Sequence, residues 1–160
     1  MVLNLAGELN YDMFNNLIKA FNSLAKSDNL HIYFSSEGGF VDVAEAIIDF
    51  INKNKDYIGI TFYGEVFSAG MLVFLKTGCY KTILPDTRGM FHFSYQDMTI
   101  SEGGKPSAAS DIFSLKEMKE SKQRTIEYLK TTKLLEKEIK NIKMGKEVYF
   151  SFARMREIIS

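Results

Sequence analysis

Three apolar runs, each followed by a segment of helical periodicity, constrain this chain more than any other feature. Val2–Leu5 precedes Tyr11–Lys26, where Phe14, Leu17, Ile18, Phe21, Leu24 and Ala25 recur at helical spacing. Leu30–Ser35 (LHIYFS) precedes a helix marked by Val43, Ala44, Ile47, Ile48 and Ile51. Ile58–Tyr63 (IGITFY) precedes Ser68–Lys76 (SAGMLVFLK), which is apolar almost all round and so predicts a buried helix. Strand then helix, three times in succession, predicts right-handed βαβ units on a mainly parallel sheet. Thr82–Leu84 and Met90–Phe93, separated by Pro85-Asp86, add two short strands.

Composition narrows the class further. A chain of 160 residues suits one domain, 1–160, and 46% apolar with 25% charged residues is a globular balance. Twenty Lys+Arg against twenty Asp+Glu leave no basic excess for tracking phosphates, which argues against a nucleic-acid partner. The single cysteine, Cys79, excludes an intrachain disulfide and reads as a small buried hydrophobe. With His31 and His92 it makes a poor zinc set, so neither metal nor cofactor is expected. No apolar run approaches the roughly 20 residues of a bilayer span, and no signal pattern opens the chain. The expectation is a cytoplasmic protein without a membrane partner.

The character changes after Tyr95. Residues 96–108 are polar and contain Gly103, Gly104 and Pro106, the composition of a loop. From Ala109 to about Lys140 the chain is charged and helix-favouring, and Ile112, Leu115, Met118, Ile126, Leu129 and Leu134 form only a thin apolar stripe. A stripe so narrow predicts a projecting helix or a contact between subunits.

Two glycine-containing segments follow predicted parallel strands, at the ends where open α/β sheets bind ligands. They are Ser35-Ser36-Glu37-Gly38-Gly39 and Gly64-Glu65-Val66-Phe67-Ser68-Ala69-Gly70. Ser68 opens a buried helix, where backbone N–H groups can stabilise an oxyanion. Ala69 and Gly70 leave room for a carbonyl, and the glycine pair allows close backbone approach. His92, 24 residues on, is a base that could return to the same sheet edge. Taken singly, Ser68 reads as a helix cap, the glycine pair as a turn, and His92 as a structural residue of the strand Phe91-His92-Phe93.

Read as a string, nearly the whole chain resembles the proteolytic subunit of the Clp protease and its phage and plasmid relatives. Ile32–Val41 (IYFSSEGGFV) is similar to the family's strand and S-P-G-G turn, with Glu37 where proline is usual. Gly64–Met71 (GEVFSAGM) resembles G-x-A-A-S-M-G-A, which holds the nucleophile, and Arg88–His92 (RGMFH) resembles R-x-M-x-H, which holds the base. Glu147–Ser151 (EVYFS) is similar to the motif of the catalytic acid, with glutamate where the family has aspartate.

The resemblance implies a ClpP/crotonase-like α/β fold, with a parallel sheet, flanking helices and a protruding handle over about 96–142. It implies a serine endopeptidase: Ser68 the nucleophile, His92 the base, Glu147 the acid, and Gly38, Gly39 and Ala69 the oxyanion hole. It further implies unfolded or short polypeptide substrates, a homo-oligomeric ring that stacks on a second ring, and an AAA+ unfoldase as a partner class. The chain begins just before its first strand, where the family has an N-terminal helix and axial loop that gate the pore and help engage an unfoldase. Alternatives are a catalytically inactive structural subunit, a signal-peptide-peptidase-like serine–lysine enzyme, and a crotonase-like relative.

Overall fold

The computed structural model describes residues 1–25, 27–93 and 109–160, with side chains in the last segment from residue 119 onward. The chain forms two compact units, Met1–Phe91 with Val148–Ser160, and His92–Glu147.

The first unit is built on a six-stranded sheet. Its strands are β1 (Val2–Leu9), β2 (Leu30–Gly39), β3 (Ile58–Phe67), β4 (Tyr80–Ile83), β5 (Arg88–Phe91) and β6 (Val148–Phe150). The order is β1-β2-β3-β5-β6, and β4 also pairs with β3. All pairings are parallel except β5 with β6. β2 runs along β3 from Leu30↔Ile58 to Ser36↔Val66, so β4 and β5 must share the other edge of β3. They do so in tandem, β4 at Gly59–Phe62 and β5 at Glu65–Phe67.

Period-two alternation makes the sheet one-sided. Along β2, Leu30, Ile32 and Phe34 are buried, with Ser36 continuing the inward row, while Tyr33 and Glu37 lie exposed. Helices α1 (Tyr11–Asn22) and α2 (Val41–Lys53) pack on β1, and the inward rows of β2 and β3 pack against α3 (Ala69–Lys76), with edge-to-face aromatics Phe34 on Phe62 at 5.6 Å and Phe62 on Phe74 at 5.0 Å. α1 starts where Asn10 accepts a hydrogen bond from the Met13 amide at 2.9 Å. α2 buries the expected stripe of Val43, Ala44, Ile47, Ile48 and Ile51, and α3 is buried from Ala69 through Leu75. The outer face carries an open groove lined by Asn4, Tyr33, Tyr63 and Leu84.

Several boundaries differ from expectation. β2 does not stop at a turn before the glycine pair but runs through it, with a register shift between Phe34 and Ser36. β1 likewise continues to Leu9, which pairs with Gly39. α1 ends at Asn22 rather than Lys26, because the Ser23 hydroxyl donates to Ala20 O at 2.7 Å and closes the last turn. β5 stops at Phe91.

The second unit contains α4 (Ala109–Leu129) and α5 (Glu136–Lys143). The helix expected to run to about Lys140 is broken. The Thr131 hydroxyl donates to Tyr128 O at 2.7 Å and the Thr132 hydroxyl to Leu129 O at 2.6 Å, ending α4 there. α5 restarts where the Glu138 carboxylate accepts from the Leu135 amide at 2.7 Å. Thr125, Ile126, Leu129, Leu134 and Ile142 are buried. The loop expected at 96–108 and the side chains of Ile112, Leu115 and Met118 lie outside the described residues. The final helix, α6 (Phe152–Ile159), belongs to the first unit and is capped by Ser151, which accepts from the Arg154 amide at 3.2 Å.

Candidate active site

The local structure around Ser68 follows from a strand that must turn abruptly into a buried helix. Ser68 has φ 52° and ψ −120°; with Asp86 it is one of two non-glycine residues of positive φ among those described. Such a backbone costs on the order of 1–3 kcal/mol for a residue with a Cβ. It is held because the Ser68 amide donates to Met90 O at 2.7 Å, while Ser68 O accepts from the Met71 amide at 3.0 Å. A serine on a strained strand-to-helix turn, rather than an ordinary cap, is the geometry that projects a hydroxyl out of the backbone. Its side chain makes no capping hydrogen bond to α3.

Gly38 is brought directly against this turn. A Cβ placed on Gly38 would lie 2.8 Å from Ser68 Cβ and 3.2 Å from Phe67 O, and its φ of 112° independently requires glycine. The Gly38 amide donates to Ser36 Oγ at 3.1 Å. Gly39, with φ 140°, sits as close to β1, where a Cβ would meet Leu9 O at 2.4 Å. Glycine at both positions is a packing requirement of the β1–β2–β3 register, not a loop signature. Gly70 serves packing as well, since a Cβ there would lie 3.1 Å from Ser36 O; the space it frees is taken by β2 and not left for a carbonyl.

In the second unit, His92 and Glu147 come together. His92 immediately follows β5 and Glu147 immediately precedes β6, so the two are the next residues beyond the antiparallel pair Phe91↔Val148. The His92 Nδ1 to Glu147 Oε1 distance is 4.0 Å, within ion-pair range and beyond a hydrogen bond. Glu147 is about half exposed and His92 is more enclosed, with side-chain exposures of 53% and 27%. In the same unit, Lys122 Nζ lies 5.2 Å from the centroid of the Phe93 ring.

The other sequence candidates find structural roles. His31 Nε2 is 2.7 Å from Thr61 Oγ1, which is 2.6 Å from Thr82 Oγ1, a polar rung across β2, β3 and β4. Cys79 is buried, and desolvation pushes its thiol pKa up. Among the described residues no group of three His, Cys, Asp or Glu side chains could hold a metal ion, and no helix is long and apolar enough to cross a membrane. Reasoning from sequence missed Ser36 and Met90, whose backbone and hydroxyl contacts hold the serine turn and the glycine pair. A buried serine at an inward strand position was the available signal.

The fold is that of a solved structure, a ClpP1 mutant from Listeria monocytogenes, matched with a TM-score of 0.68 over 98% of this chain and 86% of that one at 21% identity. The strand-to-helix serine turn thus sits on a Clp-protease type of α/β scaffold. The model of the Clp protease family matches residues 1–153, and the chain belongs to that family. Among curated proteins it is 33% identical over 89 residues to ATP-dependent Clp protease proteolytic subunit 3 of Rhizobium johnstonii. That alignment covers 55% of this chain and 42% of the relative's length.

Proposed function

We propose that this chain is a serine endopeptidase of the ClpP-like class, acting on unfolded or short polypeptides. The observation that carries this reading is the strained Ser68 turn packed against Gly38, on a chain of the Clp protease family. Ser68 Oγ attacks the scissile carbonyl, and His92 takes its proton as general base. Glu147 orients the imidazole and stabilises the imidazolium. The Ala69 amide, first in α3, and the Gly39 amide stabilise the oxyanion, while Gly38 supplies the close approach, since its own N–H is engaged by Ser36. The imidazolium then protonates the leaving amine, and water releases the acyl group from Ser68 by the same route in reverse.

The same reading makes 1–160 one peptidase domain, with the second unit as the handle of a ring-forming subunit. A partner of the AAA+ class would need an apolar surface to dock on, and the groove of Asn4, Tyr33, Tyr63 and Leu84 offers one. A serine-directed fluorophosphonate tests the core of the proposal. Labelling of the wild type that disappears in both Ser68→Ala and His92→Ala supports it; labelling that survives in Ser68→Ala removes it. The second reading, an inactive structural subunit of a mixed ring, is favoured by the 4.0 Å His92–Glu147 separation. It is the outcome if no serine is labelled in any assembly state.

A further inference from the structure

Helix α3 carries the serine turn at its amino end, and its carboxyl end is unusually well held. Eight residues make it about 12 Å long, too short to be stable alone, so its position is set by what grips it. A helix ends with carbonyls that lack intrahelical partners; here side chains supply two of them and reinforce Val73 O, which already accepts from the Thr77 amide at 3.2 Å. Lys81 Nζ donates to Phe74 O at 2.7 Å, Asn52 Nδ2 to Lys76 O at 3.1 Å, and the Thr77 hydroxyl to Val73 O at 2.8 Å. Of these donors Lys81 alone brings a full positive charge, the sign that the carboxyl end of a helix dipole favours. Its ammonium also lies 5.6 Å from the centroid of the Phe74 ring, inside the body of the first unit.

We propose that Lys81 is a positioning residue for catalysis: its ammonium, seated on the Phe74 carbonyl, anchors α3 so that the opposite end of the helix keeps Ser68 and the Ala69 amide in register. This rests on the reading of Ser68 as the nucleophile. Because α3 is packed on all sides, release of one end moves the helix as a rigid piece, and small misplacements of a nucleophile are costly in rate.

The charge on Lys81 is itself conditional. Burial lowers its pKa from the ordinary 10.5 to about 8, with the neighbouring Cys79 opposing that shift. β3 places Ile60 opposite Lys81, Lys76 of α3 is paired with Glu45 at 2.6 Å, and on α6 Arg154 pairs with Glu157 at 3.0 Å while Arg156 lies over the Phe152 ring. The ammonium is therefore present below about pH 8 and lost above it. The unfolded chain keeps that proton up to the ordinary value, so this group's contribution to folding stability rises with pH between the two. A clamp needed for catalysis predicts the opposite trend for activity, which falls as pH rises through about 8.

The test compares wild type, Lys81→Met and Lys81→Arg in peptide hydrolysis and thermal unfolding from pH 6.5 to 9.5, with fluorophosphonate labelling of each. Lys81→Met is expected to lower kcat about 10- to 100-fold with KM changed less than about twofold. Lys81→Arg, always charged, is expected to restore kcat to within about threefold and to remove the fall near pH 8. A Lys81→Met enzyme that labels and turns over like wild type overturns the role of Lys81 alone. So does a fall near pH 8 that persists unchanged in Lys81→Arg, which also decides the matter if Lys81→Met does not fold. Labelling that persists in Ser68→Ala overturns the nucleophile reading instead, and takes this role with it.

Discussion

At the scale of single residues, the site is built from strain and missing side chains. Ser68 holds a positive φ that glycine would adopt freely, so Ser68→Gly and Ser68→Ala separate chemistry from backbone. Both should abolish peptide hydrolysis, by up to about 10⁶-fold. Only Ser68→Gly should also raise stability, by about 1–3 kcal/mol in chemical denaturation, because it relieves the turn. Equal stabilities for the two variants would show that the turn stores no strain. Glu147 is the second residue-scale test. It stands 4.0 Å from His92 Nδ1, within ion-pair range and beyond a hydrogen bond. Glu147→Gln should lower kcat by roughly 10⁴-fold if the carboxylate sets the imidazole tautomer, with Glu147→Asp keeping part of the activity. Full activity in Glu147→Gln, measured on the same peptide, assigns Glu147 to the surface.

At the scale of elements, α3 was legible from sequence because a segment apolar on every side has nowhere to go but the core. The strand β2 was less legible. Gly38-Gly39 reads as a turn by composition, yet both glycines are in the strand because Ser68 and Leu9 crowd the positions of their absent side chains. α4 was overextended for a related reason: Thr131 and Thr132 are tolerated in helices, and only their back-bonding to Tyr128 and Leu129 ends this one. Element ends are thus decided by a few polar contacts, and one of them is open to test. Asn52 reaches from α2 to accept from the Gly78 amide at 2.6 Å while donating to Lys76 O. Asn52→Ala should cost about 1–3 kcal/mol, since it strips partners from two backbone groups at once. An unfolding midpoint unchanged from wild type would mean that water replaces both contacts.

At the scale of the whole molecule, membership of the Clp protease family makes assembly the central question. In the sequence of the charged segment that begins at Ala109, Leu115 and Met118 fall in a thin apolar stripe, a pattern that predicts a contact between subunits. Sedimentation of the wild type should show a species several times the 18.3 kDa chain, and Leu115→Glu with Met118→Glu should reduce it to smaller ones. The same distribution before and after would remove this segment from the assembly interface. Periodicity of apolar residues, a property of each segment alone, was enough to determine the strand–helix order, the mostly parallel sheet and the identity of its buried helix. What tertiary structure decided was adjacency: Gly38 against Ser68, His92 beside Glu147, Lys81 under the end of α3. Those meetings depend on strand register and on backbone angles that only packing can hold, and residues far apart in a chain carry no local signal of them.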